Sequence, residues 1–488
     1  MTRMICLLLA SWKVLAGVSG MSKTYRPWNP DQPWLLPPSP REWLPEGDLA
    51  YFVMDVAGQL DISAITDYYE RSNRGFPPYH PRMMATLLVY SYCNGVFSSR
   101  RIQRRCERDA AYRVIVGSDV PDFRTISDFR KIHLKALSGL FLQVLGLCRE
   151  AGLVKLGHVA LDGTKVKANA SRHKAMSYGR MKEEEERLKG EIDALLGRAQ
   201  QTDEEEDREF GNKRGDELPK ELARRESRLK KIQHAKAALE ARAKAKAEEE
   251  KARKQPPQCP SGDAPCTPPQ GPASVGSQGK PVVPDDKSQY NFTDPTSSIM
   301  KANNKGWDQC GNAQAVVDGQ AQVIVAADVT NQANDKRQVQ PMLAQAIDNI
   351  RKTQTDEDED AKIGAALMDS GYFSEENIQW MAEHGIDGHV ATERIKHHER
   401  VPDAPCGRPP ADLTAKEKMA RKLRTKKGRK TYAKRKTIVE PVFGQIKRCR
   451  GFVQFLLRGI DKMRGEWSLV CMTHNLLKLF GARIAAFG

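Results

Sequence analysis

Ile363-Gly364-Ala365-Ala366-Leu367-Met368-Asp369-Ser370-Gly371-Tyr372-Phe373 decides how this chain folds. An apolar run of strand length, closed by an acid and then by Ser-Gly, reads as a buried strand that ends in a carboxylate. Ser374 then reads as a helix cap, with Glu376 nearby. Outward from it, Gly385-Ile386-Asp387-Gly388-His389-Val390-Ala391 reads as the last strand, and residues 336–352 as a helix with Val339, Met342, Leu343, Ala346 and Ile347 on one face. Asn312 to Gly319 and Gln322 to Val329 are two strand patterns joined by a Gly-containing turn, most simply a hairpin. Farther upstream, His158-Val159-Ala160-Leu161-Asp162 reads as a short apolar strand ending in a second acid, with Gly163 and the β-prone Thr164-Lys165-Val166 turning back as a hairpin. Strands, a helix and further strands in this order predict an α/β fold, a mixed sheet flanked by helices with acids gathered at strand ends.

Composition bounds what surrounds that sheet. The chain has 488 residues, 40% of them hydrophobic, which allows a sizeable core and two or three folded units and excludes a wholly disordered protein. A formal net charge of +16 favours a polyanionic partner, with nucleic acid the first candidate. Ten cysteines without a repeated CxxC pair read as small apolar residues in a reducing compartment, and Cys259 and Cys266 lack a second pair of ligands for zinc. Ile5 to Trp12 is apolar, but Lys13 interrupts it and it is too short for a membrane helix, so residues 1–20 are not expected to act as a signal peptide. The polar, Trp/Pro-rich start at Met21 is the expected natural beginning, within an N-terminal extension of residues 1–40.

Residues 41–150 read as a helical, DNA-binding candidate domain. Pro81 to Cys93 has the spacing of a buried helix, Asn94-Gly95 breaks it, and Ser98-Ser99 caps a second helix carrying Arg100, Arg101, Arg104 and Arg105. That order is compatible with a helix-turn-helix DNA reader and with an ordinary hairpin bearing a charged face, and the residues alone leave both open. Pro121 to Arg130 starts another amphipathic helix, capped by Thr125 or Ser127. Residues 181–254 form a charged insertion in which Leu188, Ile192 and Leu195, then Leu222, Leu229, Ile232, Ala235 and Leu239, predict a helical hairpin or coiled-coil arm. Residues 255–284 turn to Pro, Gly, Ser and Gln and read as a flexible linker. The sheet domain takes residues 151–180 and 285–480.

A third acid, Glu440, stands in Thr437-Ile438-Val439-Glu440-Pro441-Val442-Phe443-Gly444-Gln445-Ile446-Lys447-Arg448, just after a dense basic run. Alone it reads as a surface glutamate. With Asp162 and Asp369 it makes a trio of hard oxygen ligands, and phosphoryl transfer on DNA can be driven by two Mg²⁺ ions about 3.5–4 Å apart. Strand ends fix two carboxylates, and a helix laid across the sheet delivers the third. The rivals are Asp328, which ends a strand as convincingly as Asp369, Asp335 in the polar loop after it, and Glu466 ahead of Trp467. His158 and His474 read as packing residues, because two-metal chemistry requires no histidine. From Lys416 to Lys436 nearly every second residue is Lys or Arg, with Glu417 the only acid. Lys426, Lys427, Arg429 and Lys430 could therefore neutralise phosphates, or the run could be a solubilising loop.

Together, Ala160-Leu161-Asp162-Gly163-Thr164, Leu367-Met368-Asp369-Ser370-Gly371-Tyr372 and Val439-Glu440-Pro441-Val442-Phe443-Gly444-Gln445-Ile446-Lys447 resemble a DDE transposase of bacterial insertion sequences. The closer likeness is to the insertion sequence 1182-like subgroup, which has a helical insertion after the first strand. It takes in Ser98-Ser99-Arg100, Pro121-Asp122-Phe123-Arg124-Thr125-Ile126 and the tail from Arg464-Gly465-Glu466-Trp467-Ser468-Leu469 to His474-Asn475-Leu476. The resemblance implies an RNase H-like catalytic fold in which Asp162, Asp369 and Glu440 bind two divalent ions, Mg²⁺ or Mn²⁺. The implied reaction cuts double-stranded DNA at the element's terminal inverted repeats and joins a 3′-hydroxyl to target DNA. A homodimer on DNA and a bacterial cytoplasmic, nucleoid-associated setting without a membrane are implied as well. The alternatives are another RNase H-like metal nuclease and a DNA-binding protein without chemistry. A family signature places Tyr, Arg, Glu and Lys at set intervals on the last helix. Lys447 keeps its interval after Glu440, but the upstream interval falls on Lys436, with Arg435 one residue off and Tyr432 shifted with it. Either Arg435 or Lys436 could then contact DNA.

Overall fold

The computed structural model describes residues 25–29, 39, 42–71, 75–117, 119–210, 220–254, 283–301, 306–353, 362–393, 402–404, 407, 410 and 412–487. The expected start at Met21 and nearly all of the Pro/Gly-rich stretch 255–284 lie outside the described residues. The chain divides into two compact units, one formed by Met1–Asn169 with Met300–Gly488 and the other by Ala170–Ile299.

The first unit opens with helices α1 (Leu49–Gln59), α2 (Ser63–Glu70), α3 (Pro81–Cys93), α4 (Ser99–Arg108), α5 (Ala110–Val116), α6 (Phe123–Ile132) and α7 (Leu134–Glu150). α3 is buried along its length, because residues such as Met83, Leu87, Leu88 and Tyr92 leave it no polar face. The cap of α6 is Asp122, whose carboxylate accepts from Arg124 N at 2.8 Å. Thr125 and Ser127 lie inside the helix, which therefore starts earlier than expected: an aspartate just ahead of the first turn outcompetes a later hydroxyl.

The sheet follows, with β1 (His158–Lys167), β2 (Trp307–Asp318), β3 (Ile324–Thr330), α8 (Val339–Lys352), β4 (Ala365–Met368), α9 (Glu375–Glu383) and β5 (Asp387–Val390). Helices α10 (Ala415–Arg424), α11 (Lys426–Ile438) and α12 (Glu440–Gly444), a π-helical turn (Gln445–Cys449) and α13 (Ile460–Phe487) complete it. Five strands of the six-stranded sheet lie in the order β3-β2-β1-β4-β5. β1 is antiparallel to β2 and β2 to β3, whereas β4 runs parallel to β1 and β5 parallel to β4. β4 is buried at every position, and Ser374 caps α9 by accepting from Asn377 N at 3.2 Å. α13 closes the core with Trp467, Leu469, Val470 and Leu476, all fully buried, each worth about 1.5–3 kcal/mol of hydrophobic stabilisation. The indole N–H of Trp467 donates to the Gln314 carbonyl at 2.9 Å and so ties α13 to β2.

β1 does not turn at Asp162-Gly163. It runs straight through, with Asp162 opposite Ala315 and Gly163 opposite Gln314, so Asp162 stands in mid-strand rather than at a strand end. The glycine serves space, not a turn: a Cβ on Gly163 would stand 2.2 Å from Gln314 Nε2. Among the described residues no single helix is long and apolar enough to cross a membrane.

In the second unit, helices Tyr178–Phe210 and Lys220–Lys254 pack through Tyr178, Met181, Leu188, Ile232, Ala235 and Leu239, beside a short antiparallel ribbon of Ala175–Ser177 and Gln289–Asn291. The buried Glu185 accepts from Lys236 at 3.0 Å and pairs with Lys189 at 2.9 Å, which holds its carboxyl down at about 2.

Candidate active site

Two of the three acids are brought level by strand pairing. β1 and β4 pair in parallel with Ala160 opposite Leu367, so Asp162 and Asp369, each two residues farther on, emerge at the same height and on the same face. Each is oriented by a nearby amide. Asp162 Oδ1 accepts from Gly163 N at 2.8 Å, and Asp369 Oδ1 from Gly371 N at 2.8 Å. Burial pushes the Asp162 carboxyl up to about 6 against the pull of Arg435, and the nearby Asp369 and Asp335 carboxylates add to the push.

Glu440 arrives from a helix. α11 ends at Ile438, Val439 makes the break, and Glu440 opens α12 with its side chain half exposed. Arg435, on the last turn of α11, lies between the two groups: its Nη1 donates to Asp162 Oδ2 and its Nη2 to Glu440 Oε1, both at 3.2 Å. Arg435 and Glu440 are five residues apart, and the long Arg435 side chain spans that interval, so its guanidinium reaches both acids. Lys436, the next residue, is exposed. Tyr432, one turn earlier, hydrogen-bonds Arg435 and is raised by its burial. Lys447, in the π-helical turn, donates to Thr164 Oγ1 and, at 2.9 Å, to the Lys165 carbonyl, so it fastens that turn to β1.

The rival acids fall elsewhere or into other roles. Asp328 pairs with Arg464 at 2.9 Å. Glu466 is fully buried and its Oε2 accepts from Leu456 N at 2.9 Å and Leu457 N at 3.2 Å, so it pins a loop. His474 meets the Gln322 carbonyl at 3.0 Å, and burial lowers it to about 3. Asp335, by contrast, lies at the acid cluster. The sequence alone does not mark Asn312, Gln314 and Tyr372, which surround it, as site residues, although two amides at alternate buried positions of β2 are a legible signal.

The arginines expected to meet DNA line an open face. Ile102 and Cys106 bury one side of α4, while Arg100, Arg101, Arg104 and Arg105 face outward, with Arg105 paired to Asp109 at 3.1 Å. A Cβ on Gly95, in the turn between α3 and α4, would strike the Arg450 carbonyl, so this turn is packed. Lys426, Lys427, Arg429 and Lys430 are exposed on α11, Arg429 pairing with Asp403 at 2.6 Å. Thus the basic run is two helices, α10 and α11, rather than a loop.

Residues 39–132 match the family model "Transposase domain (DUF772)", and residues 277–476 match "Transposase DDE domain". The chain belongs to the DDE transposases. Such a transposase carries an RNase H-like fold, which here is the mixed sheet with its flanking helices. The family generally works with divalent ions, and DNA is what a transposase binds. No curated protein and no solved structure matches the chain. Among the described residues no three His, Cys, Asp or Glu side chains converge closely enough to hold an ion as they stand. The donor set nevertheless fits a hard divalent cation: it is all oxygen, and a cationic guanidinium already stands between Asp162 and Glu440.

Proposed function

We propose that this transposase cuts double-stranded DNA at the terminal inverted repeats of an insertion sequence and joins the ends to target DNA, with Asp162, Asp369 and Glu440 holding two Mg²⁺ or Mn²⁺ ions. The observation that carries this reading is Arg435, a cation bonded at once to Asp162 and Glu440 beside Asp369. Bound divalent ions would supply activation of the attacking oxygen and stabilisation of the leaving one.

The chain's own residues set the geometry. β1 and β4 hold Asp162 and Asp369 as a fixed floor, and Glu440, half exposed at the start of α12, forms the wall. Arg435 neutralises the acids before DNA arrives and is then available to a phosphate, as Lys447 is near Thr164. The exposed cations of α4 and α11 grip the backbone, and two copies hold the two element ends. Replacing Lys426, Lys427, Arg429 and Lys430 together should flatten the salt dependence of DNA binding by up to about 3–4 in log–log slope. An unchanged slope would exclude that grip.

The decisive assay is strand transfer of labelled element ends by wild type and Asp369→Asn. Wild-type cleavage and joining, both lost in the variant, are expected. Cleavage without joining would make the protein a nuclease, and binding with neither would leave a DNA-binding protein without chemistry.

A further inference from the structure

We infer that Asp335 is a fourth carboxylate of the divalent-ion site, offering its Oδ2 to the ions held by Asp162, Asp369 and Glu440; this rests on the two-ion reading of that site. Asp335 lies in the loop between β3 and α8. Its Oδ1 takes three donors: Asn312 Nδ2 at 2.6 Å, Gln314 Nε2 at 2.9 Å and Lys165 Nζ at 3.3 Å. The Gln314 amide is itself locked. Its Oε1 accepts from Tyr372 Oη at 2.5 Å, so its NH₂ must point the other way, toward Asn312 Oδ1 at 3.0 Å and Asp335. Asn312 also donates to the Gln332 carbonyl at 3.1 Å, which draws the loop down onto β2.

Two buried amides in a core strand are a costly way to hold a loop, since a buried polar group left unpaired loses about 1–3 kcal/mol. Here they converge on one oxygen and leave the other bare: among the described residues no donor reaches Asp335 Oδ2. That oxygen lies on the Asp369 side of the loop. A Cβ placed on Gly371 would stand 3.8 Å from Asp335 Oδ2 and 3.0 Å from Asp369 Oδ1, so both carboxylates border the space beside one glycine. Gly163 completes the arrangement, since any side chain there would displace the Gln314 amide. A carboxylate anchored through one oxygen by an outer shell, with the other on the side of another acid, is built as a ligand rather than as a surface ion pair.

The test is titration of the full chain with Mn²⁺, followed by calorimetry, for wild type, Asp335→Asn and Asp369→Asn, with melting measured in metal-free buffer. The asparagine keeps an acceptor for the three donors and removes the charge of the bare oxygen. Asp335→Asn should melt as wild type does and bind Mn²⁺ at least about tenfold more weakly. Wild-type affinity in Asp335→Asn, with binding lost in Asp369→Asn, would overturn the role of Asp335 and leave the two-ion reading standing. No loss in either variant, or no binding by wild type, would overturn both. Should Asp335→Asn melt early, Asp335→Glu decides: recovery of Mn²⁺ affinity to within a few-fold supports a ligand, and a glutamate as weak as the asparagine shows a structural role only.

Discussion

The floor and the wall of the acid cluster are built differently. Asp162 stands in mid-strand on β1 and Asp369 just past the end of the parallel strand β4, and each has a backbone amide on its carboxylate. Glu440 opens a short helix after a break, is half exposed, and has Arg435 as its partner. A strand in mid-sheet cannot shift one side chain without shifting its ladder, whereas a helix start can turn about a single residue. In the proposed reaction the difference gives two tasks, with the floor setting where charge is balanced and Glu440 completing the site.

The sharpest way to break that contrast is to move each carboxylate by one methylene. Asp162→Glu should lower the rate of DNA cleavage by about a thousandfold or more, since a displacement of about 1 Å in a preorganised site already costs about a hundredfold. Glu440→Asp should lose only about tenfold, because Glu440 is half exposed and opens a short helix instead of standing in the sheet. Cleavage rates on a labelled duplex compare the two directly, and equal losses would abolish the distinction.

How far the sequence disclosed this depends on whether a residue's role is local. The strand ending at Asp369 was legible, because an apolar run closed by an acid needs no distant partner to be recognised. Asp162 was legible as an acid but not in its setting. Asp-Gly is a hairpin signal, and only the register with Gln314 shows that the glycine is there for room. The displaced spacing of Arg435 could not be interpreted from the chain alone, since five residues along a helix point two side chains apart and only the fold shows the guanidinium reaching back to Glu440. Asp335 was visible as a rival acid, but its setting was hidden. Its neighbours Lys165, Asn312, Gln314 and Tyr372 come from three segments far apart in sequence.

Beyond the wall, Glu466 anchors the loop that follows the π-helical turn, and its burial supplies a pH test. Burial raises its carboxyl to about 7, against the opposing pull of Arg130. The folded state therefore holds the proton more tightly than the unfolded chain. The resulting stability is complete below the unfolded value near 4.5 and is lost as pH rises through about 7. Glu466→Gln keeps an acceptor for Leu456 N and Leu457 N and removes the charge. The variant should gain on wild type between pH 5 and pH 8 by up to about 3 kcal/mol, reduced by whatever Arg130 loses with its neighbour. Melting curves across that range check it, and a constant gap between the two proteins would show that Glu466 does not titrate there.

The smallest effects come from two glycines, one in each half. Gly163→Ala drives a methyl into the Gln314 amide from a strand that cannot retreat, and overpacking of this kind costs about 1–3 kcal/mol. Gly444, at the end of α12, has ordinary helical angles, and a Cβ added there would meet nothing within 4 Å. Gly444→Ala should accordingly stabilise by about 0.4–1 kcal/mol, by reducing the freedom of the unfolded chain. Denaturant unfolding of both variants measures opposite signs if the floor is tightly packed and the wall has room. A Gly444→Ala that destabilises would mean that the wall is as constrained as the floor, and the tolerance expected of Glu440→Asp would then lose its physical basis.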